Sequence, residues 1–467
     1  MRSRHPAIVS GDVTLSYAAF AERVRNCAGA LLAHGVRQGA LVGLALKDSV
    51  DHLVLLFSLA RIGAVIVPMD WRWSQAEKAR LVRHMSLGFV IVEAEAAAIG
   101  DARMLRPDGS WAAAPAAPMV LEPDRPVILS LSSGTTGRPT GPLATHAQML
   151  ARIANQLVTL TFSQHDRYLL ATPLYFGGGR AFALTHLHIG ATLILCPPPY
   201  QPEALVAEIA DKTADTSFLV PTQIRRLLAL DDAALARARG LRLLISSGAP
   251  LRPEERREIA RRITPGFIEY YASTEGGGIT VLTPQGQKQH PDSVGCAAFM
   301  VTVEIVDDAH RTLPPDQIGQ VRYRGPGVAQ QIYREPDKTA APFRGGWFYP
   351  GDLGRMNAAG YLTLLGRAKD VILRGGVNIY PLEIEQVLAE HPAVAEAAVL
   401  PQPHAELGET ILAAVVAHTP LSAEVLAAHC RSRLAPYKQP ARIVFLNALP
   451  RNSAGKVVKA MIDISDA

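Results

Sequence analysis

Residues 132–141 read Ser-Ser-Gly-Thr-Thr-Gly-Arg-Pro-Thr-Gly and follow the apolar run Val127-Ile128-Leu129. Small residues let successive backbone N–H groups converge on an anion, and hydroxyls add donors for phosphate oxygens. The segment has the makings of a phosphate cradle, although its composition alone is equally that of a flexible Ser/Gly loop. The Walker pattern is not met, because no Gly-Lys-Ser/Thr closes it. Four further segments set reactive side chains beside glycines or aromatics: Tyr271-Ala272-Ser273-Thr274-Glu275, Gly346-Trp347-Phe348-Tyr349-Pro350-Gly351-Asp352, Gly366-Arg367-Ala368-Lys369-Asp370 and Pro450-Arg451-Asn452-Ser453-Ala454-Gly455-Lys456. An ionised Asp352 is acceptor-only, and its two oxygens suit the paired hydroxyls of a ribose. Read singly, Glu275 is a solvated carboxylate in a turn, Tyr271 a core aromatic and Lys456 a solvated lysine.

Taken together and in order, the five segments resemble the adenylate-forming superfamily of acyl-CoA synthetases, luciferases and nonribosomal peptide synthetase adenylation domains. The resemblance covers nearly the whole chain. It implies an α/β fold: a large N-terminal domain of layered α/β sheets with a β-rich subdomain, and a small mobile C-terminal α+β domain. It also implies a two-step reaction in which a carboxylate and ATP give acyl-adenylate and pyrophosphate, and a thiol then displaces AMP. On this resemblance Ser132, Ser133, Gly134, Thr135, Thr136 and Gly137 cradle phosphate, and Thr274 hydrogen-bonds the α-phosphate. Glu275 holds Mg²⁺, a hard cation that takes oxygen ligands and keeps several waters. Tyr271 stacks on adenine, while Gly248, Ala249 and Pro250 let backbone approach the base edge. Asp352 holds the ribose, Arg367 reinforces the nucleotide contact and Lys369 is the hinge. Lys456 is the cation between carboxylate and α-phosphate, and Gly375 and Gly376 border the pantetheine tunnel of coenzyme A.

Departures from the family pattern bear on substrate. Thr140 stands where relatives place Lys at the end of the phosphate loop, a change read as tuning, with a catalytically silent nucleotide-binding relative as the other reading. Ala272 replaces a Gly and narrows the acyl pocket by one methyl. Phe176 replaces a frequent His in Pro173-Leu174-Tyr175-Phe176, and no acidic residue lies between Arg167 and Ala191 to meet the ammonium of an amino acid. Gly177, Gly178 and Gly179, with Gly276, Gly277 and Gly278, are expected to line an open apolar slot for an aromatic, alicyclic or medium-chain acid, although glycines in flexible loops read the same way. Arg180 reads mainly as a surface residue, with pairing to a second carboxylate as the alternative. Arg431, Arg433, Lys438 and Arg442 suggest a basic face for the phosphates of coenzyme A or for an acidic carrier protein.

These residues need elements to hold them. From Ser16 the apolar positions Tyr17, Phe20, Val24, Ala28, Leu31 and Leu32 step by three and four, predicting a helix that Gly35 stops. Strands at 41–46, 64–67, 191–195, 217–220 and 241–245 alternate with helices at 50–61, 203–210 and 222–230, the signature of parallel α/β layers. Gly and Pro punctuate residues 293–361, which read as β-rich. A new α+β unit follows: strand 371–373, a helix opening at Pro381, strands near 395–400 and 412–417, a helix at 422–433 and strand 442–446. The expected domains are 1–366 and 371–467, joined by a hinge at 367–370, and the Ala/Pro segment 112–118 is expected to be an exposed loop.

The chain's 467 residues, 48% apolar and 19% charged, exclude a miniprotein and a disordered chain. A formal charge of +5 without a Lys/Arg tract argues against nucleic acid and suits binding of phosphorylated anions. Cys27, Cys196, Cys296 and Cys430 are too dispersed for a zinc site or a disulfide framework. No signal-peptide pattern follows Met1, and Leu53–Pro68, broken by Arg61, is too short to span a bilayer. The expectation is a cytoplasmic acid:CoA ligase using ATP, Mg²⁺ and coenzyme A, with no nucleic-acid partner and a homodimer as one assembly. Loading of a carrier-protein phosphopantetheine is the alternative, and a luciferase-like oxygenase is weaker because it needs a special substrate rather than a special motif.

Overall fold

The computed structural model describes residues 3–93, 98–120, 122–131, 140–451 and 457–464. They form two compact units: Met1–Pro291 with Gly295–Thr302 and Arg324–Phe348, and Asp292–Val294 with Val303–Tyr323 and Tyr349–Ala467.

The first unit holds two α/β sheets. In the six-stranded sheet, β1 (Leu41–Ala45), β2 (Val65–Pro68) and β3 (Pro126–Leu129) are neighbouring parallel strands. Helix α1 (Val50–Arg61) crosses from β1 to β2, and the Ser49 hydroxyl caps it by accepting from His52 N at 3.2 Å. Ser16 likewise caps the Tyr17–Ala33 helix, and Gly35, at φ +91°, takes the left-handed turn after it. The segment 112–118 is mostly exposed but tethered, because Ala117 N donates to Arg25 O and Ala117 O accepts from Arg61 Nε.

Helix α2 (His146–Thr159) leads into the nine-stranded sheet, followed by β4 (Arg167–Leu170) and α3 (Gly177–Ile189). β5 (Thr216–Phe218), β6 (Leu243–Ser246) and β7 (Phe267–Ser273) continue the parallel core, and β8 (Gly277–Leu282) returns antiparallel to β7. Successive side chains of these strands enter opposite cores: Tyr168, Leu170, Leu243 and Ile245 one cluster, Leu169, Leu244 and Phe267 the other. Burial on both faces explains why the strands read as unbroken apolar runs. Each such side chain contributes about 1.5–3 kcal/mol by leaving water.

In the second unit β9 (Asp352–Met356) and β10 (Leu362–Arg367) form an antiparallel pair. The hairpin of β11 (Ile372–Arg374) and β12 (Val377–Ile379) opens an α+β layer with α4 (Pro381–Ala389), β13 (Val394–His404), β14 (Gly408–Ala417), α5 (Ala423–Arg431) and β15 (Arg442–Phe445). Ile372, Ile384, Leu388, Val399, Ile411, Val415 and Leu426 form its core. No helix among the described residues is long and apolar enough to cross a membrane.

Candidate active site

In the first unit the candidate residues gather at one edge of the nine-stranded sheet. β6 and β7 run parallel with Ser246 opposite Glu269, so the turns beyond their carboxyl ends are neighbours. This is the edge at which open α/β sheets take ligands. Gly248, at φ +99°, turns the chain after β6, and Ala249 and Pro250 are exposed beside it. Leu251 N donates to Glu269 Oε1 at 3.2 Å, tying that turn to β7. β7 carries Tyr271 and Ala272, with a register shift between them where the strand pairs β8. Thr274 and Glu275 occupy the tight turn between the two strands, both half-buried, and Gly276 N closes it on Ser273 Oγ at 3.0 Å.

Arg152 of α2 holds that turn. Its Nε donates to Gly327 O at 2.8 Å, Nη1 to Thr274 O at 3.3 Å and Nη2 to Glu275 O. Ala329 N adds a bond to Glu275 O at 2.8 Å. The backbone on both sides of the Thr274–Glu275 peptide is therefore held by a planar fork of donors. Sequence reasoning missed Arg152. The available signal was the polar set Gln148, Arg152, Asn155 and Gln156, which recurs at helix spacing on one face of α2.

The glycines expected to line the acyl slot divide by surroundings. A Cβ on Gly178 would lie 2.7 Å from the Phe218 ring, and one on Gly278 would strike the Tyr270 hydroxyl at 1.6 Å, so both make room for the protein's own aromatics. Gly277, at φ +75°, has the Arg152 stem 3.1 Å from its Cβ position, whereas Gly177 faces open space. Gly276 is buried, and Phe176 takes the N-cap position of α3.

Arg180 is not a surface residue: it is 4% exposed. Its Nη1 donates to Leu174 O and Tyr175 O at 3.0 and 3.1 Å, and Nη2 to Ser130 Oγ at 3.1 Å. Burial and the nearby Arg152 lower its pKa to about 10. Arg180 thus ties the loop before α3 to Ser130, two residues ahead of the phosphate loop.

In the second unit Asp352 and Arg367 face each other across β9 and β10. Arg367 Nε lies 3.0 Å from Asp352 Oδ1 and its Nη1 donates to Pro350 O, so the guanidinium fixes the carboxylate's orientation. Lys369 follows in an exposed turn. Gly375 and Gly376, at φ +56° and +83°, form the exposed tip of the β11–β12 hairpin, a two-residue turn that requires left-handed backbone at both positions. The expected basic face is partly neutralised, because Arg433 pairs with Glu390 at 3.1 Å and Lys438 with Glu383 at 2.6 Å.

Ser132, Ser133, Gly134, Thr135, Thr136, Gly137 and Lys456 lie outside the described residues. Of the phosphate loop's flanks, Thr140 is buried at 6% exposure, and Gly141 packs so closely that a Cβ would sit 1.9 Å from Ser130 O. Among the described residues no three His, Cys, Asp or Glu side chains gather as a metal cage. A lone, partly exposed Glu275 fits Mg²⁺, which binds through one or two carboxylates, substrate phosphates and water.

Comparison with known proteins places the chain in a family. Residues 1–333 match the AMP-binding enzyme family and residues 383–456 the AMP-binding enzyme C-terminal domain. The chain is 33% identical to an indoleacetate--CoA ligase of Aromatoleum aromaticum, over 95% of this chain and 92% of that protein. It is 31% identical to a feruloyl-CoA synthase of Amycolatopsis, over 98% and 95%. The solved structure of ATP-bound MatB from Rhodopseudomonas palustris superposes with a TM-score of 0.91 at 29% identity, covering 98% of this chain and 95% of that one. The chain belongs to the AMP-binding enzyme family, the adenylate-forming superfamily that its five motifs resemble.

Proposed function

We propose that this protein is an AMP-forming carboxylic acid:CoA ligase, acting on an aromatic, alicyclic or medium-chain acid. In the first step a carboxylate oxygen attacks the α-phosphorus of ATP, the bond from that phosphorus to the α,β-bridging oxygen breaks, and pyrophosphate leaves with that oxygen and its electron pair. In the second the thiolate of coenzyme A attacks the acyl carbon, AMP leaves and the thioester forms. The observation that carries this reading is the Thr274–Glu275 turn, locked by Arg152 at the carboxyl edge of the sheet beside the Gly248–Pro250 turn. The names of the similar ligases support acid:CoA chemistry and an aromatic acid.

In this reading Tyr271 and residues 248–250 receive adenine, Asp352 oriented by Arg367 receives the ribose, and Thr274 donates to the α-phosphate. Mg²⁺ supplies charge neutralisation on the phosphates, and Glu275 holds it. The domains 1–366 and 371–467 turn about Lys369, presenting Lys456 for adenylation and the Gly375–Gly376 hairpin for thioester formation. Cysteines that form no disulfide and substrates drawn from the ATP and coenzyme A pools fit a cytoplasmic address. A homodimer is checked by sedimentation.

Separating the half-reactions tests the assignment. Lys456→Ala loses adenylation by about 10²–10³, read as acid-dependent pyrophosphate release, while conversion of preformed acyl-adenylate to acyl-CoA stays near wild type. Equal loss in both steps overturns the role given to Lys456. Acyl-adenylate that forms normally but reacts only with a carrier-protein phosphopantetheine replaces coenzyme A as the acceptor.

A further inference from the structure

Helix α2 inverts the usual pattern of a surface helix. Its buried side chains are polar, and each is satisfied: Gln148 Nε2 donates to Val328 O at 2.9 Å, Asn155 Nδ2 to Phe299 O at 2.7 Å, and Gln156 Oε1 accepts from Thr185 Oγ1 at 2.6 Å. Two apolar side chains of the same helix are exposed, Leu150 at 49% and Val158 at 51%, while Met149 and Leu157 are only partly buried against the core. An amphipathic helix on a globular surface ordinarily does the reverse.

The uncovered face walls a cavity. Met149, Leu150 and Ile153 of α2, with Phe57 of α1, Val127 of β3 and Leu184 of α3, surround a space of about 470 Å³. None of the residues assigned to nucleotide, acyl group or coenzyme A lines it. The volume falls within the roughly 300–1,000 Å³ of small-molecule sites, whose linings are mostly apolar with a few polar groups. A concavity of this kind suits a single inserted apolar body better than a flat protein face.

Charge at the rim narrows the ligand. The polar lining is Arg61, Glu122, His146 and His188. Glu122 is already matched, accepting from Arg125 Nε and Gln38 Nε2, each at 2.9 Å. Burial and the nearby Arg125 lower the pKa of His146, which favours its neutral form. Among the described residues the Arg61 guanidinium meets only Ala117 O, through Nε at 2.9 Å, so its charge has no carboxylate partner there. His188, also in the lining, is exposed. An apolar wall with one cation that meets no carboxylate among the described residues is complementary to an apolar anion.

We propose that the cavity between α1, α2 and α3 is a second ligand site, for a monocarboxylate of decanoate size with its tail against Met149, Leu150 and Ile153 and its carboxylate at Arg61. The site is separate from the adenylation machinery and does not depend on it.

Calorimetric titration of the full chain with decanoate, without ATP, tests the proposal, with decanol as the uncharged control. Decanoate binding is expected to weaken at least about tenfold in Leu150→Trp, which fills the cavity, and less in Ile153→Phe, a smaller filling. Arg61→Met is expected to weaken decanoate but not decanol. Affinity for Mg-ATP stays within about twofold in all three variants, which also reports that they fold. The proposal is overturned if wild type binds no decanoate, if Leu150→Trp binds it unchanged, or if Arg61→Met weakens both ligands equally. A concentration-dependent dimer abolished by Leu150→Trp overturns it too, giving the cavity to a second copy of the chain.

Discussion

Arg152 is the residue on which most of the described site depends. One guanidinium spans the carbonyls of Thr274, Glu275 and Gly327, a task that a lysine ammonium, with no rigid fork, performs only in part. Arg152→Lys is expected to lower kcat by about tenfold and Arg152→Met by about a hundredfold, with a smaller change in KM for ATP, because misplacing a catalytic turn by an ångström costs about 10². Steady-state AMP release gives both constants, and a variant that alters only KM contradicts the clamp. Thr140 gives the complementary lesson. The resemblance implies Lys there, yet the structure buries the position at 6% exposure, where a cation would lose much of its hydration and a neutral side chain does not.

At the scale of elements, close backbone approach decides where α3 begins. A Cβ on Gly179 would lie 2.3 Å from Thr172 O and 2.5 Å from Pro173 O. Gly179→Ala is expected to cost about 1–3 kcal/mol, as overpacking does, and to displace Phe176 and Gly177 with the helix start. A lowered thermal midpoint with altered acid preference checks this, and an unchanged midpoint refutes it. The loop before α3 is also tethered by Asp48, whose Oδ1 accepts from Leu174 N at 2.9 Å. Burial raises the Asp48 pKa to about 6, with Asp70 adding to the rise and Arg72 opposing it. The folded protein then binds more protons than the unfolded chain between about pH 4 and 6, so this group's contribution to stability falls as pH rises through that window. His52, 3.8 Å away, acts oppositely: burial lowers its pKa to about 4, and its contribution rises with pH from about 4 to 6.5. Asp48→Asn keeps the acceptor for Leu174 and removes the charge. Its thermal midpoint is expected to match wild type below about pH 4 and to exceed it increasingly up to about pH 6, and a constant offset across that range contradicts the assignment.

Over the whole molecule, the sequence made the layered α/β order legible because strands buried on both faces leave unbroken apolar runs, and Ser16 and Gly35 mark their helix's ends in residue type alone. The motif order along the chain made the family legible. What stayed hidden depends on approach in space. Arg180 reads as a surface cation until Leu174, Tyr175 and Ser130 close over it. Arg433 and Lys438 read as a basic face until Glu390 and Glu383, distant in sequence, meet them. The inverted face of α2 was periodic in the sequence, but only the packed structure reveals that its polar side is the buried one.

The most direct test of the central claim is product analysis by mass detection after incubating the protein with Mg-ATP, coenzyme A and a panel of aromatic, alicyclic and medium-chain acids. An acid:CoA ligase yields AMP, pyrophosphate and acyl-CoA in equal amounts with at least one acid, and neither AMP nor thioester when the acid is omitted. ATP binding without AMP release for every acid in the panel contradicts the claim and leaves a catalytically silent nucleotide-binding relative in its place.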